Sequence, residues 1–173
     1  MEILFSLIMM IVFSVSYKKI NSNTSKLQRL LTNLSIIIGP VCIFLIKIFT
    51  VKPNVISGNG NLGLIFYLPT IIILLFQVLV IPRNVMDYFR IKDVKLINSC
   101  ILLFLVSSLI STLFLVFYTA NQLKLLELHG NYYSHFTVNQ YTNTLFINTY
   151  LYNLILLLSV LFTSIYVRIR RGT

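Results

Sequence analysis

Between Leu96 and Ala120 there is no charged side chain, and leucine, isoleucine, valine and phenylalanine fill most of the run. As a helix rising about 1.5 Å per residue, such a segment crosses the ~30 Å hydrocarbon core of a bilayer. It has company. Apolar segments run roughly over 3–17, 30–50, 61–81, 96–120 and 144–167. Four of them reach the roughly 20 residues a crossing needs, and the first spans only with local thinning or sheltering neighbours. A transmembrane barrel would need alternating apolar and polar positions in runs of about ten residues, whereas these runs are continuous. The expected fold is an all-α membrane protein, a bundle of five transmembrane helices forming one integral membrane domain over 1–173.

Composition agrees. Hydrophobic residues make up 57% of the 173 and charged residues only 10%, too few for the polar shell of a soluble domain with about 25% charge. Disorder, a disulfide scaffold and an ordinary cytosolic enzyme are thereby excluded. The net charge of +10 would suggest nucleic acid in a soluble protein. Here the basic residues lie almost wholly outside the apolar runs, where they set topology and meet anionic lipid. No nucleic-acid partner is expected.

The basic residues also orient the chain. Eleven fall on one side: Lys18, Lys19, Lys26, Arg29, Arg83, Arg90, Lys92, Lys95, Arg168, Arg170 and Arg171. Only Lys47, Lys52 and Lys124 fall on the other. Five crossings and the positive-inside rule place the C-terminus on the cytoplasmic or matrix side. The connection from about Asn121 to Asn143 lies opposite, its start able to extend the fourth helix and Tyr132, Tyr133, Phe136 and Tyr141 suited to headgroup anchoring. Neither a cleavable signal nor a transit peptide is read at Met1-Glu2, since Lys18-Lys19 follows the apolar run.

Chemistry is sparse. Glu2, Asp87, Asp93 and Glu127 all lie outside the apolar cores, and Lys47 sits three residues from a segment end, where it can snorkel to water. His129 and His135 share a polar loop and offer too few ligands for a metal. Cys42 and Cys100 read as apolar packing residues. Ser57-Gly58-Asn59-Gly60-Asn61 fits no nucleotide fingerprint and reads as a turn. No catalytic residue, cofactor site or metal site is expected. What remains is packing: Ser35 and Gly39 continued by Cys42, Ser107 with Ser111, Ser108 with Thr112, and Ser159 with Thr163 form small-residue ridges for close helix approach. Such a chain should be poorly stable alone, with other subunits covering its spans.

Two prolines lie near mid-membrane. Pro40 removes the donor for the Ile36 carbonyl and Pro69 that for Ile65. Every backbone polar group inside a membrane needs a partner, and the Tyr67 hydroxyl needs one too where it faces protein. The stretch Tyr67 to Ile71 is therefore expected to leave regular α-helix, by a kink or a π-bulge, and to face neighbouring subunits.

Together these features resemble chain 6 of the proton-pumping NADH:ubiquinone oxidoreductase, respiratory complex I, in a divergent, mitochondrially encoded form. That family has five transmembrane helices with a long connection before the last. The scarcity of alanine, with only Ala120, and the absence of tryptophan suit an AT-rich organellar genome. The family's Leu-Tyr-Thr-x-Tyr opening is similar to Leu145-Phe146-Ile147-Asn148-Thr149-Tyr150, and its closing small residues and basic tail to Thr163-Ser164-Ile165-Tyr166-Val167-Arg168. In the third segment Leu62-Gly63-Leu64 and Leu74-Leu75-Phe76 match the family's flanks loosely. Leu68-Pro69-Thr70-Ile71 stands where the family has Tyr-Val-Gly-Ala, with Tyr67 one residue early and Pro69 in place of a glycine-based defect.

The resemblance implies a membrane-arm subunit in the mitochondrial inner membrane, with its C-terminus in the matrix and no redox centre of its own. FMN, iron–sulfur clusters and ubiquinone are expected elsewhere in the complex. Other membrane subunits and lipids are the implied partners. Tyr67, Pro69 and Thr70 are the implied conformational and coupling candidates. The alternatives are a scaffold or assembly subunit of another organellar membrane complex, and a small transporter.

Overall fold

The structure is a computed structural model that describes residues 26–52, 60–90, 92–128 and 137–171. The first expected span, 3–17, lies outside them. The described residues form helices and no strand: α1 Lys26–Phe49, α2 Leu64–Phe89, α3 Val94–Leu128, the single turn α4 Asn143–Phe146, and α5 Thr149–Arg170. Four stretches are long and apolar enough to cross a membrane, Leu30–Phe49, Leu64–Phe89, Val94–Leu128 and Asn143–Arg170.

The boundaries depart from the apolar runs where packing takes over. The third expected segment, 61–81, continues through Pro82, Arg83 and Asp87 to Phe89. Ile81, Asn84, Val85 and Phe89 are buried at helical spacing along one face, and that stripe carries the helix past the charges. The fourth runs on from 120 to Leu128, where Leu126 is buried. The last, 144–167, is interrupted. Ile147 is extended, and Asn148 starts a new helix by accepting from the Leu151 N–H at 2.9 Å while its amide donates to the Thr144 carbonyl at 3.0 Å. With 22 residues, α5 is still about 33 Å long and spans the hydrocarbon unaided.

Pro40 and Pro69 end neither helix. Of the two departures expected over 67–71, the π-bulge is absent: α2 runs through as α-helix without a π turn. Pro69 is exposed, so its ring clashes with no neighbouring helix of the chain. The Thr70 hydroxyl, one residue on, donates to the Phe66 carbonyl at 2.6 Å. Proline removes one hydrogen bond, and α2 continues as helix on both sides of it.

The helices pack in the order α1, α2, α5, α3. Antiparallel α1 and α2 are joined at the loop end by stacked Phe49 and Phe66, 5.5 Å apart. α5 lies parallel to α2 and antiparallel to α3. Its contacts with α3 run from Phe114 stacked on Tyr150 at 5.7 Å, through the Ser111 hydroxyl donating to the Tyr150 carbonyl at 3.1 Å, to Arg168 donating to the Asn98 side chain at 3.0 Å. The apolar core runs beside α5: Ile43 from α1, Ile81, Val85 and Phe89 from α2, Ile97 from α3, and Leu156, Val160 and Val167.

Helices α2, α3 and α5 bring Arg83, Arg90, Lys92, Lys95, Arg168, Arg170 and Arg171 to one end of the bundle, while Lys47 lies exposed in the last turn of α1 at the other. Around α3 the surface is apolar. Only Ile97, Ser108, Ser111 and Leu126 are buried, and Leu102, Leu109, Leu113, Val116 and Phe117 stand exposed. In water such a helix would be untenable, but beside lipid or another helix it is ordinary.

Candidate functional site

The bundle interior holds a polar seam that joins three helices. From α5, the Tyr152 hydroxyl donates to Gln77 Oε1 on α2. Gln77 Nε2 donates in turn to Ser35 Oγ on α1 at 3.4 Å, and Ser35 donates to the Thr32 carbonyl at 2.8 Å. All four residues are buried. Inside a membrane an unpaired amide or hydroxyl is costly. A fully connected run therefore fixes the register of α1, α2 and α5 against one another.

Gly39 makes the seam possible. A Cβ at this position would overlap the Tyr152 phenol oxygen and crowd Ile73 at 3.3 Å. Without a side chain, α1 lets the phenol lie against its backbone one turn beyond Ser35. Cys42 continues the same face, buried and free, within hydrogen-bonding reach of Thr70. The ridge of Ser35, Gly39 and Cys42 is thus the face on which Gln77, Thr70 and Tyr152 pack.

On α3 the buried pair is Ser108 with Ser111, three apart, while Ser107 is half-buried and Thr112 exposed. The face turned to α5 follows the crossing of the two helices, which spacing four alone does not specify. Ser159 and Thr163 are half-buried and bond to their own helix, to the Leu156 and Ser159 carbonyls. Ser164 is the fully buried small residue of that turn.

A second network closes the loop end. Asn61 and Asn143 exchange side-chain hydrogen bonds at 3.0 and 2.6 Å, and Tyr67 donates to the Asn143 carbonyl at 2.8 Å. A Cβ on Gly63 would overlap the Asn143 amide nitrogen. Asn139 accepts from the N–H groups of Tyr141 and Thr142 at 2.9 and 3.2 Å, and Thr142 donates to the Thr137 carbonyl at 2.6 Å. The Val51 N–H donates to the Gln140 carbonyl at 2.8 Å. These contacts tie the end of α1, the start of α2 and the entry to α5 into one cap.

Between cap and seam lies a cleft of about 300 Å³, lined by Tyr67, Thr70, Leu74, Asn148, Leu151 and Tyr152 among others. Tyr67 and Thr70 are thus brought together, both turned into the bundle, whereas Pro69 between them points outward. Tyr67 finds its partner within its own chain.

Gln77, Asn143 and Tyr152 passed unremarked in the sequence because none carries a charge at neutral pH. Gln77 is the only amide in the run Phe76-Gln77-Val78-Leu79-Val80, and a lone neutral amide in such a run is a signal of interhelical hydrogen bonding. The seam contains no carboxylate, imidazole or amine, so its chemistry is that of neutral donors and acceptors. Among the described residues no three His, Cys, Asp or Glu side chains cluster as metal ligands. His129 and His135 lie outside the described residues. No family model, no curated protein and no solved structure matches the chain.

Proposed function

We propose that this chain is a membrane-arm subunit of the proton-pumping NADH:ubiquinone oxidoreductase, contributing structure and conformational coupling between quinone reduction and proton translocation. The observation that carries the reading is the pairing, among the described residues, of a charge-free polar interior with a broad apolar exterior. Only 11% of the most apolar part of α3 is buried. A self-contained pump keeps ionisable groups at membrane depth because they carry its protons. A subunit that positions helices for its neighbours needs neutral contacts inside and broad apolar faces outside.

The resemblance of the Leu145–Tyr150 and Thr163–Arg168 stretches directs this general role to complex I. In this reading flavin, iron–sulfur clusters and ubiquinone belong to other chains. The membrane is the mitochondrial inner membrane, and the basic end, which holds the C-terminus, faces the matrix under the positive-inside rule. A small transporter is the second reading, favoured by the cleft beside the interruption at Ile147 and Asn148.

Tyr67, Pro69 and Thr70 are the coupling elements. Tyr67 and Thr70 hold α2 to the cap and to α1, and Pro69 presents a helix face lacking one backbone hydrogen bond to a neighbouring subunit. The test is Pro69→Leu. Assembly and quinone reduction should persist while protons pumped per NADH oxidised decline. Unchanged pumping would remove Pro69 from the coupling path, and loss of assembly would make its role structural.

A further inference from the structure

Between α3 and α5 a buried donor stands without an acceptor. Asn153 of α5 is only 6% exposed, and its Nδ2 atom is buried with no hydrogen-bond partner among the described residues. The residue belongs to the stripe of α5 that faces α3. Tyr150, Asn153, Leu157, Leu161 and Ser164 are buried at spacings of three or four. Both ends of that stripe bond to α3, the Tyr150 carbonyl by accepting from Ser111 and Arg168 by donating to Asn98. Because the two helices are antiparallel, one turn on from Tyr150 meets one turn back from Ser111, where Ser108 is also buried. A helix carbonyl points toward the C-terminal end, whereas a side chain leans toward the N-terminal end. Both inclinations bring the Ser111 hydroxyl and the Asn153 amide to one level.

Donors and acceptors at this level are complementary but not joined. Ser108 gives its proton to the Phe104 carbonyl at 2.7 Å, and Ser111 gives its own to the Tyr150 carbonyl at 3.1 Å. Both hydroxyl oxygens retain lone pairs, while Asn153 Nδ2 carries two hydrogens. The amide bonds directly to neither oxygen, and in a membrane interior an unmade amide hydrogen bond is costly. We propose that a single water molecule is bound here, accepting from Asn153 Nδ2 and donating to Ser108 Oγ and Ser111 Oγ. Three hydrogen bonds are the usual complement of a buried water. Size selects the occupant. Nδ2 presents no surface to lipid or to a neighbouring chain, so a headgroup or a partner's side chain cannot reach it. The bridge pins α3 to α5 one turn from the stacked Phe114 and Tyr150 rings. It does not depend on which complex the chain serves.

The test is water-to-protein polarisation transfer by solid-state NMR on the full isotope-labelled chain in lipid bilayers. The Asn153 side-chain amide, identified by its disappearance in Asn153→Leu, should receive magnetisation from water. The Gln77 amide, at the depth of Tyr152 but bonded to Ser35, should not. Thermal unfolding in mild detergent gives an independent reading. Asn153→Leu should lower Tm by about 2–4 °C through loss of the bridge, whereas a dry, unpaired amide would make leucine the more stable residue. The loss should be smaller in a Ser108→Ala background, because both changes act through one water. Absence of transfer at Asn153, or equal transfer at Asn153 and Gln77, would overturn the proposal. So would a raised Tm in Asn153→Leu, or strict additivity with Ser108→Ala.

Discussion

Gly39→Ala is expected to destabilise the bundle by about 1–3 kcal/mol, even though alanine is the better helix former by up to ~1 kcal/mol. The added methyl falls on the Tyr152 phenol oxygen. Tyr152 is buried and bonded to Gln77, so the ring cannot swing aside without breaking that bond. Overpacking and a strained hydrogen bond together outweigh the gain in helix propensity. Tyr152→Phe alone should cost about 1–2 kcal/mol, because Gln77 Oε1 loses its donor in an apolar interior. The double variant is the sharper measurement. With the phenol oxygen gone, the new methyl meets only the ring edge, at 2.9 Å from the ring carbon that carried it. The pair should therefore be less destabilised than the two single changes summed, by roughly 1 kcal/mol. Thermal unfolding in mild detergent provides all four corners of the cycle. Strict additivity would mean that Gly39 and Tyr152 do not meet.

Asn143→Ala is expected to lower stability by about 2–3 kcal/mol and to loosen the cap before the core. The change removes both amide hydrogen bonds to Asn61 and leaves a partner-less group beside a small void at a fully buried position. The Tyr67 bond should survive, since its acceptor is the Asn143 backbone carbonyl. Amide exchange should accordingly quicken over 137–148 and at the turn before α2, while the middle of α5 keeps its protection. Gly63→Ala, which overlaps the Asn143 amide, should be harmful in the wild-type chain and better tolerated beside Asn143→Ala. Uniform acceleration across all helices would show that the cap is not a separate unit.

These two sites mark the boundary of what a linear reading reaches. The spans themselves are written in the apolar runs, because a helix that satisfies its own backbone is the local solution inside lipid. Ser35, Gly39 and Cys42 were visible as a ridge by spacing alone, but spacing cannot say what packs on it. The answer, Tyr152 and Gln77, lies more than a hundred and about forty residues away and depends on α5 lying parallel to α2. Ser111 pairs in burial with Ser108 rather than Ser107 because the crossing of α3 and α5 chooses the face. The interruption at Ile147 and Asn148 was hidden for another reason. The stretch is apolar enough to read as one helix, and the cap is a single asparagine whose partners are backbone groups. At Pro69 the ring is directed away from the bundle, so it disturbs no contact between helices of the chain and α2 runs on without a π turn.

The most direct test of the proposed assignment is what the chain brings with it from its native membrane. Tagged at the C-terminus and released in mild detergent, it should migrate in a large particle carrying flavin and iron–sulfur absorption, and that particle should oxidise NADH with a quinone acceptor. A monodisperse, cofactor-free particle containing only this chain would contradict the complex I reading and favour the small transporter.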